Sequence, residues 1–197
     1  MRLILASASP ARLKVLRDAG LHPEAVVSGV DEDAITADTG PALVKALARA
    51  KAEAVAGTLL DPELIVVGCD SVFECAGQLF GKPLTLQRAR ERCHQVSGQS
   101  GLLHTGHHLI VRQRGTETAG NEVATTKVRF GTFSNDEIEA YLATGEPLQV
   151  AGGFTIDGYG GAFVEALEGD HSNVIGISLP LLRRMLNGLG VAYHSLW

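Results

Sequence analysis

Residues 64–68 read LIVVG, an unbroken apolar run. A strand with apolar side chains on both faces must be covered on both. The run therefore predicts a buried strand in an α/β sheet with helices packed on either side. It leads straight into Cys69-Asp70-Ser71, then Val72-Phe73-Glu74. An acid at the end of a buried strand is expected at the mouth of the sheet, where ligands of α/β folds usually bind.

The other segments fit that frame. Residues 3–6 predict a short buried strand that breaks at Ser7-Ala8-Ser9-Pro10 and gives way to a helix through Leu13, Leu16 and Arg17, stopped by Gly20. Residues 25–30 resemble a second strand, ending in Asp31-Glu32-Asp33. Residues 41–56 predict an Ala-rich helix with Pro at its start and Gly57 at its end. Ala76-Gly77-Gln78 predicts a turn, residues 85–96 a helix, and residues 104–112 and 121–130 strands. Ser134-Asn135-Asp136-Glu137 has the cap and first-turn acids of a helix start. Residues 152–161, GGFTIDGYGG, are expected to form a flexible loop that closes over a ligand; residues 162–167 then predict a strand and residues 179–186 a final helix. There is no repeat and no linker-like break. The expectation is a single domain over residues 1–197, a mixed twisted α/β sheet flanked by helices, in two lobes with a central cleft.

Composition removes whole classes. A formal net charge of −5 argues against a general nucleic-acid binder, which needs a basic face, though not against a nucleotide pocket with a few local cations. No apolar run approaches the roughly 20 residues of a membrane span. The opening MRLILASASP turns polar too soon for a signal peptide. Cys69, Cys75 and Cys93 lack metal-ligand spacing, and an odd number of them suits free thiols in the cytoplasm. The motifs HExxH, GxSxG, GxxxxGK[ST] and GxGxxG are all absent.

Three places can carry chemistry. Ser7-Ala8-Ser9-Pro10-Ala11-Arg12 offers hydroxyls, a guanidinium and backbone N–H groups at a helix start, an anion site; alternatively Ser9 only caps the helix. Asp70 can bind a divalent cation or take a proton from water, or it can cap a turn. In Gly81-Lys82-Pro83 the proline restricts Lys82 to an extended backbone, where it either grips phosphate or stands exposed in a turn. Lys51 and Glu32 add a cation and an acid that can equally be solvated surface charges.

The ordered segments LILASASPARL, SGVDED, ALARAKAEAVA, VVGCDSV, GKP, VSGQSGLLHTG and GEPLQVAGGFTIDGYGGAFVEALEGDHSNVIGISLPLL closely resemble the Maf family of nucleoside triphosphate pyrophosphatases, over nearly the whole chain. The resemblance implies the inosine-triphosphate-pyrophosphatase-like fold, a nucleoside triphosphate as substrate, Mg²⁺ or Mn²⁺ as cofactor, a cytoplasmic location and a homodimer, with no nucleic-acid or membrane partner. It implies Asp70 as proton acceptor, and Lys51 and Lys82 as contacts of the triphosphate. It also implies Ser7, Ser9 and Arg12 as the phosphate loop, and Glu32, or neighbouring Asp31, beside Asp70 at the metal. The chain departs from the family's base-selective patterns at Ala11, Ser71 and Asp157, the positions tied to specificity. A different class of function, a nucleotide-binding regulator of cell division without turnover, is the alternative.

Overall fold

The computed structural model describes all 197 residues. Its sheet is mixed and seven-stranded. The strands are β1 (Arg2–Leu5), β2 (Glu24–Ala25), β3 (Leu64–Cys75), β4 (Gln78–Phe80), β5 (Ser100–Gln113), β6 (Thr116–Phe130) and β7 (Val164–Glu168). Their order is β2-β1-β3-β5-β6-β7, with β4 paired to β3. The helices are α1 (Pro10–Asp18), α2 (Gly40–Ala56), α3 (Leu86–Val96), α4 (Asn135–Ala143), α5 (His171–Ile175) and α6 (Leu179–Gly188). The chain forms two compact units: residues 1–70, 105–124 and 176–197, and residues 71–104 with 125–175.

In the first unit β1 lies parallel to both β2 and β3, with Leu5 opposite Val67. The apolar run is covered on both faces, as its composition requires. Ile65, Val67 and Cys69 join Leu16, Leu181 and Leu182 in one core, whereas Leu64 and Val66 join Ala52, Val55 and Ala56 of α2 in another. Fully burying one such aliphatic side chain stabilises by about 1.5–3 kcal/mol. Three helices begin the same way. Ser9, Thr39 and Ser178 cap α1, α2 and α6, and each is followed within two residues by a proline.

Gly68 and Gly106 show how closely α2 lies on the strands. A Cβ at Gly68 would fall 2.2 Å from the Ala48 carbonyl oxygen, and one at Gly106 would fall 2.0 Å from that of Val44. Only hydrogen fits between those strands and the helix backbone.

The second unit has an aromatic core. Phe73, Phe130 and Phe154 meet edge to face, with ring centroids 4.9–5.8 Å apart. Ala76 and Gly77, at φ 49 and 75, turn β3 into β4, the arrangement that two-residue hairpins favour.

Five strands differ in extent from the sequence expectations. β3 does not stop at Gly68 but continues through Asp70 to Cys75, because Val72, Phe73 and Cys75 are buried in turn. β2 is only two residues long: Val27 is 70% exposed and Gly29 turns at φ 66, so nothing buries or straightens the rest of the expected strand. β7 begins at Val164, after a 3₁₀ segment, Tyr159–Phe163, that takes up the first part of the expected strand. β5 and β6 are longer than their alternating cores, since Arg114 and Gly115 make a tight turn at φ 51 and 75.

Candidate active site

Asp70 lies within a continuous strand rather than at its end. Side-chain alternation places it on the same face as Leu64, Val66 and Gly68, the face that α2 covers. Because Gly68 lets the α2 backbone approach, Lys51 of α2 reaches Asp70. Its ammonium donates to Asp70 Oδ1 at 2.5 Å. The same ammonium lies 2.7 Å from Glu32 Oε1. The Lys51 side chain is 8% exposed and that of Asp70 14%, against 51% for Glu32. The trio is thus a mostly buried cation and acid with a second acid at the solvent side. Asp31 is engaged elsewhere: its carboxylate caps the 3₁₀ turn Glu32–Ala34 by accepting from Asp33 N at 3.2 Å. Glu32 is therefore the acid that meets Lys51.

The opening loop leaves β1 beside this trio. Ala6 N donates to Val67 O at 2.8 Å, so Ser7 departs next to the stretch of β3 that holds Cys69 and Asp70. Ser7 Oγ accepts from Ser9 N at 3.2 Å and from Arg12 Nη1 at 3.1 Å. Arg12 Nε donates to Gly176 O at 2.8 Å, and Arg12 itself is buried. Ser9 Oγ accepts from Arg12 N at 3.4 Å, so Ser9 does cap the helix. Capping does not exclude an anion: the helix start still turns N–H groups and positive dipole toward the loop. Cys69 registers this whole setting. Burial pushes its thiol up to about 12, the Arg12 and Lys51 charges oppose the rise, and Asp70 adds to it.

Lys82, Ser71 and Asp157 belong to the second unit. Ser71 follows Asp70 in β3, so alternation turns its side chain to the opposite face of the strand. Lys82 is exposed, and its segment is tied down on both sides. Gly81 O accepts from Arg92 Nη1 at 2.5 Å and from Gly152 N at 3.2 Å, and Leu84 N donates to Leu148 O at 3.0 Å. The Arg92 guanidinium stacks 4.5 Å over the Phe80 ring. Asp157 stands exposed between Ile156 and Gly158 in the glycine-rich segment. That segment is not the simple loop expected: it forms 3₁₀ turns at Ala151–Gly153 and Tyr159–Phe163.

Sequence reasoning missed several organising groups. Gly176 O anchors Arg12 across 164 positions of sequence. His107 Nε2 accepts from Ser178 N at 2.8 Å, holding the start of α6. Asp170 caps α5 by accepting from Ser172 N and Asn173 N, at 2.9 and 3.2 Å. None of these has a local signature, except that an acid two residues before a helical Ser-Asn pair fits a cap.

The chain matches the family described as "Maf-like protein" over residues 2–189. The chain belongs to the Maf family. Proteins named nucleoside triphosphate pyrophosphatase are similar along its full length. The one from Saccharopolyspora erythraea is 52% identical over 100% of this chain and 97% of its own. Those from Streptomyces coelicolor and Mycobacterium marinum are each 50% identical over 100% of this chain, covering 94% and 96% of theirs. The mixed α/β sheet agrees with this Maf assignment.

No group of three or more His, Cys, Asp or Glu residues of this Maf protein is placed to hold a metal ion. A hard divalent cation of the Mg²⁺ type takes oxygen donors, and Glu32 and Asp70 both present carboxylate oxygens to Lys51. Such an ion needs only one or two protein carboxylates when waters and substrate phosphates complete its shell. No helix is long and apolar enough to cross a membrane.

Proposed function

We infer that this Maf protein is a nucleoside triphosphate pyrophosphatase, which cleaves its substrate to the nucleoside monophosphate and pyrophosphate and so removes non-canonical or excess nucleotides. One observation carries the reading: in a chain matched end to end by relatives of that name, a buried lysine holds two carboxylates beside a Ser/Arg loop.

The chemistry follows from the groups present. Asp70 orients a water and accepts its proton. The water oxygen bonds to the α-phosphorus, the α–β bridging P–O bond breaks, and its electron pair leaves on pyrophosphate. Lys51, with Arg12 and the loop N–H groups, neutralises charge that spreads over the phosphate oxygens, and Lys82 contacts the phosphate tail. Ser7 and Ser9 line the phosphate loop. Glu32 and Asp70 would hold a Mg²⁺ or Mn²⁺ ion, which supplies further neutralisation of the triphosphate.

Ala11, Ser71 and Asp157 set the base preference. A carboxylate accepts hydrogen bonds, so Asp157 matches a base edge with two adjacent donors, as guanine has, better than the acceptor-flanked edge of uracil. Three buried free thiols suit a reducing compartment such as the cytoplasm, and the resemblance to the Maf family supports a homodimer.

The test is a panel of triphosphates with Mg²⁺ or Mn²⁺ and the products resolved. Pyrophosphate plus monophosphate is expected, fastest from GTP. Orthophosphate plus diphosphate refutes the bond assignment. Nucleotide-induced thermal stabilisation without product instead indicates a binding protein.

A further inference from the structure

Glu146 is a carboxylate that neither the catalytic trio nor the phosphate loop uses. It follows Gly145, which turns at φ 72, and it opens the 3₁₀ turn Glu146–Gln149. Its Oε1 accepts from Tyr141 Oη at 3.0 Å, from Thr155 Oγ1 at 2.6 Å and from Gly160 N at 2.9 Å. Its Oε2 accepts from Tyr159 N at 2.9 Å. Four donors from three segments of the second unit converge on one acid.

The glycines around it are shaped by that acid. A Cβ at Gly158 would fall 2.3 Å from Glu146 Oε2, and one at Gly160 would fall 2.6 Å from Tyr141 Oη. The 155–160 segment is therefore wrapped directly onto the carboxylate. Burial raises the Glu146 carboxyl, but the bonds from Thr155, Gly160, Tyr159 and Tyr141 outweigh it and hold the group below the usual carboxylate range. It stays ionised, as an acceptor of four donors must.

What this clamp presents is chemically specific. Asp157 and Tyr159 flank Gly158 and are both exposed; Tyr159 is a large aromatic left 70% open. An exposed carboxylate two residues from an exposed ring offers one group for the edge of a base and one for its face.

We propose that Glu146 is a positioning residue: it fixes the Asp157–Tyr159 tip in the one shape that reads the nucleobase. The proposal rests on the pyrophosphatase reading and adds to it the device that keeps base selection sharp.

The experiment uses the full chain with Mg²⁺ and compares kcat and KM for GTP, ATP, CTP and UTP in the wild type, Glu146→Gln and Thr155→Val. Glutamine keeps one carbonyl oxygen for the three donors on the Oε1 side but turns an NH₂ toward Tyr159 N–H, donor against donor. In Glu146→Gln the spread of kcat/KM across the four bases is expected to contract roughly tenfold, mainly through KM for the preferred nucleotide, with kcat changed by less than about threefold. Thr155→Val removes one donor and should contract the spread in the same direction by a smaller factor.

A spread that stays within about twofold of the wild type in a folded Glu146→Gln, with all rates falling together, overturns the proposal and leaves a merely structural acid. If Glu146→Gln does not fold, an unmoved spread in folded Thr155→Val overturns it equally. A wild type that releases pyrophosphate from all four bases at equal kcat/KM also overturns it, while the pyrophosphatase reading stands. A wild type that releases none sinks both.

Discussion

Replacing Lys51 with Met and Asp70 with Asn, singly and together, measures how far these two groups depend on each other. Their charges lie 2.5 Å apart. At an effective dielectric of about 20, Coulomb attraction at that distance is roughly 6–7 kcal/mol. Desolvation of two side chains only 8% and 14% exposed offsets a large part of it. A net coupling of about 2–4 kcal/mol remains, within the span measured for close charge pairs. The single variants should differ. Lys51→Met leaves two carboxylates without their common cation and should cost about 3–5 kcal/mol. Asp70→Asn leaves Lys51 its 2.7 Å contact with Glu32 and should cost about 1–2 kcal/mol. Urea unfolding of the four proteins closes the cycle. In a chain of this length each kcal/mol is also visible as about 2–4 °C in the melting temperature. The coupling should persist at about 0.5 M salt, because buried pairs are weakly screened. Turnover should be non-additive as well, the double variant scarcely slower than either single one. A coupling below about 0.5 kcal/mol refutes the picture of Lys51 as the organiser of the acids.

Two further outcomes follow from the same packing. Gly68→Ala should destabilise by about 3 kcal/mol or more in urea unfolding, since its Cβ would lie 2.2 Å from a helix carbonyl, and it should slow pyrophosphate release by displacing Lys51; a variant as stable and as fast as the parent contradicts the close approach of α2. Burial pushes the Cys69 thiol up to about 12 and that of Cys93 up to about 11, so at pH 8 neither should react with a disulfide reagent until denaturant is added; rapid modification of the folded protein at either residue contradicts their burial.

The readable parts of this fold were those where one physical requirement dominates. An apolar run must be buried on both faces, and LIVVG is. Helix starts marked by proline declare themselves, and α1 and α2 obey. The second strand misled because β-branched residues can be extended and still exposed, as Val27 is. Glu146 left no trace at all. An acid after glycine in a polar stretch looks like a surface charge, and its four donors come from positions 141, 155, 159 and 160, which only the folded chain gathers.

The trio shows how much of a site a strand's parity can set. Positions 64, 66, 68 and 70 of β3 share the face under α2, while 65, 67 and 69 turn toward α1 and α6. Shifting the pairing of β3 by one residue would carry Asp70 to the α1 side and bring the Cys69 thiol under Lys51, leaving a buried ammonium without its acid. Gly68 removes the side chain that would hold α2 away, and Ala48 and Ala52 make the matching absence on the helix. Lys51 precedes Ala52, so the contact that seats the helix also aims the lysine. The buried ion pair and the helix–strand packing are therefore one arrangement, and a change that spares every charged residue yet thickens this contact should still disable the site.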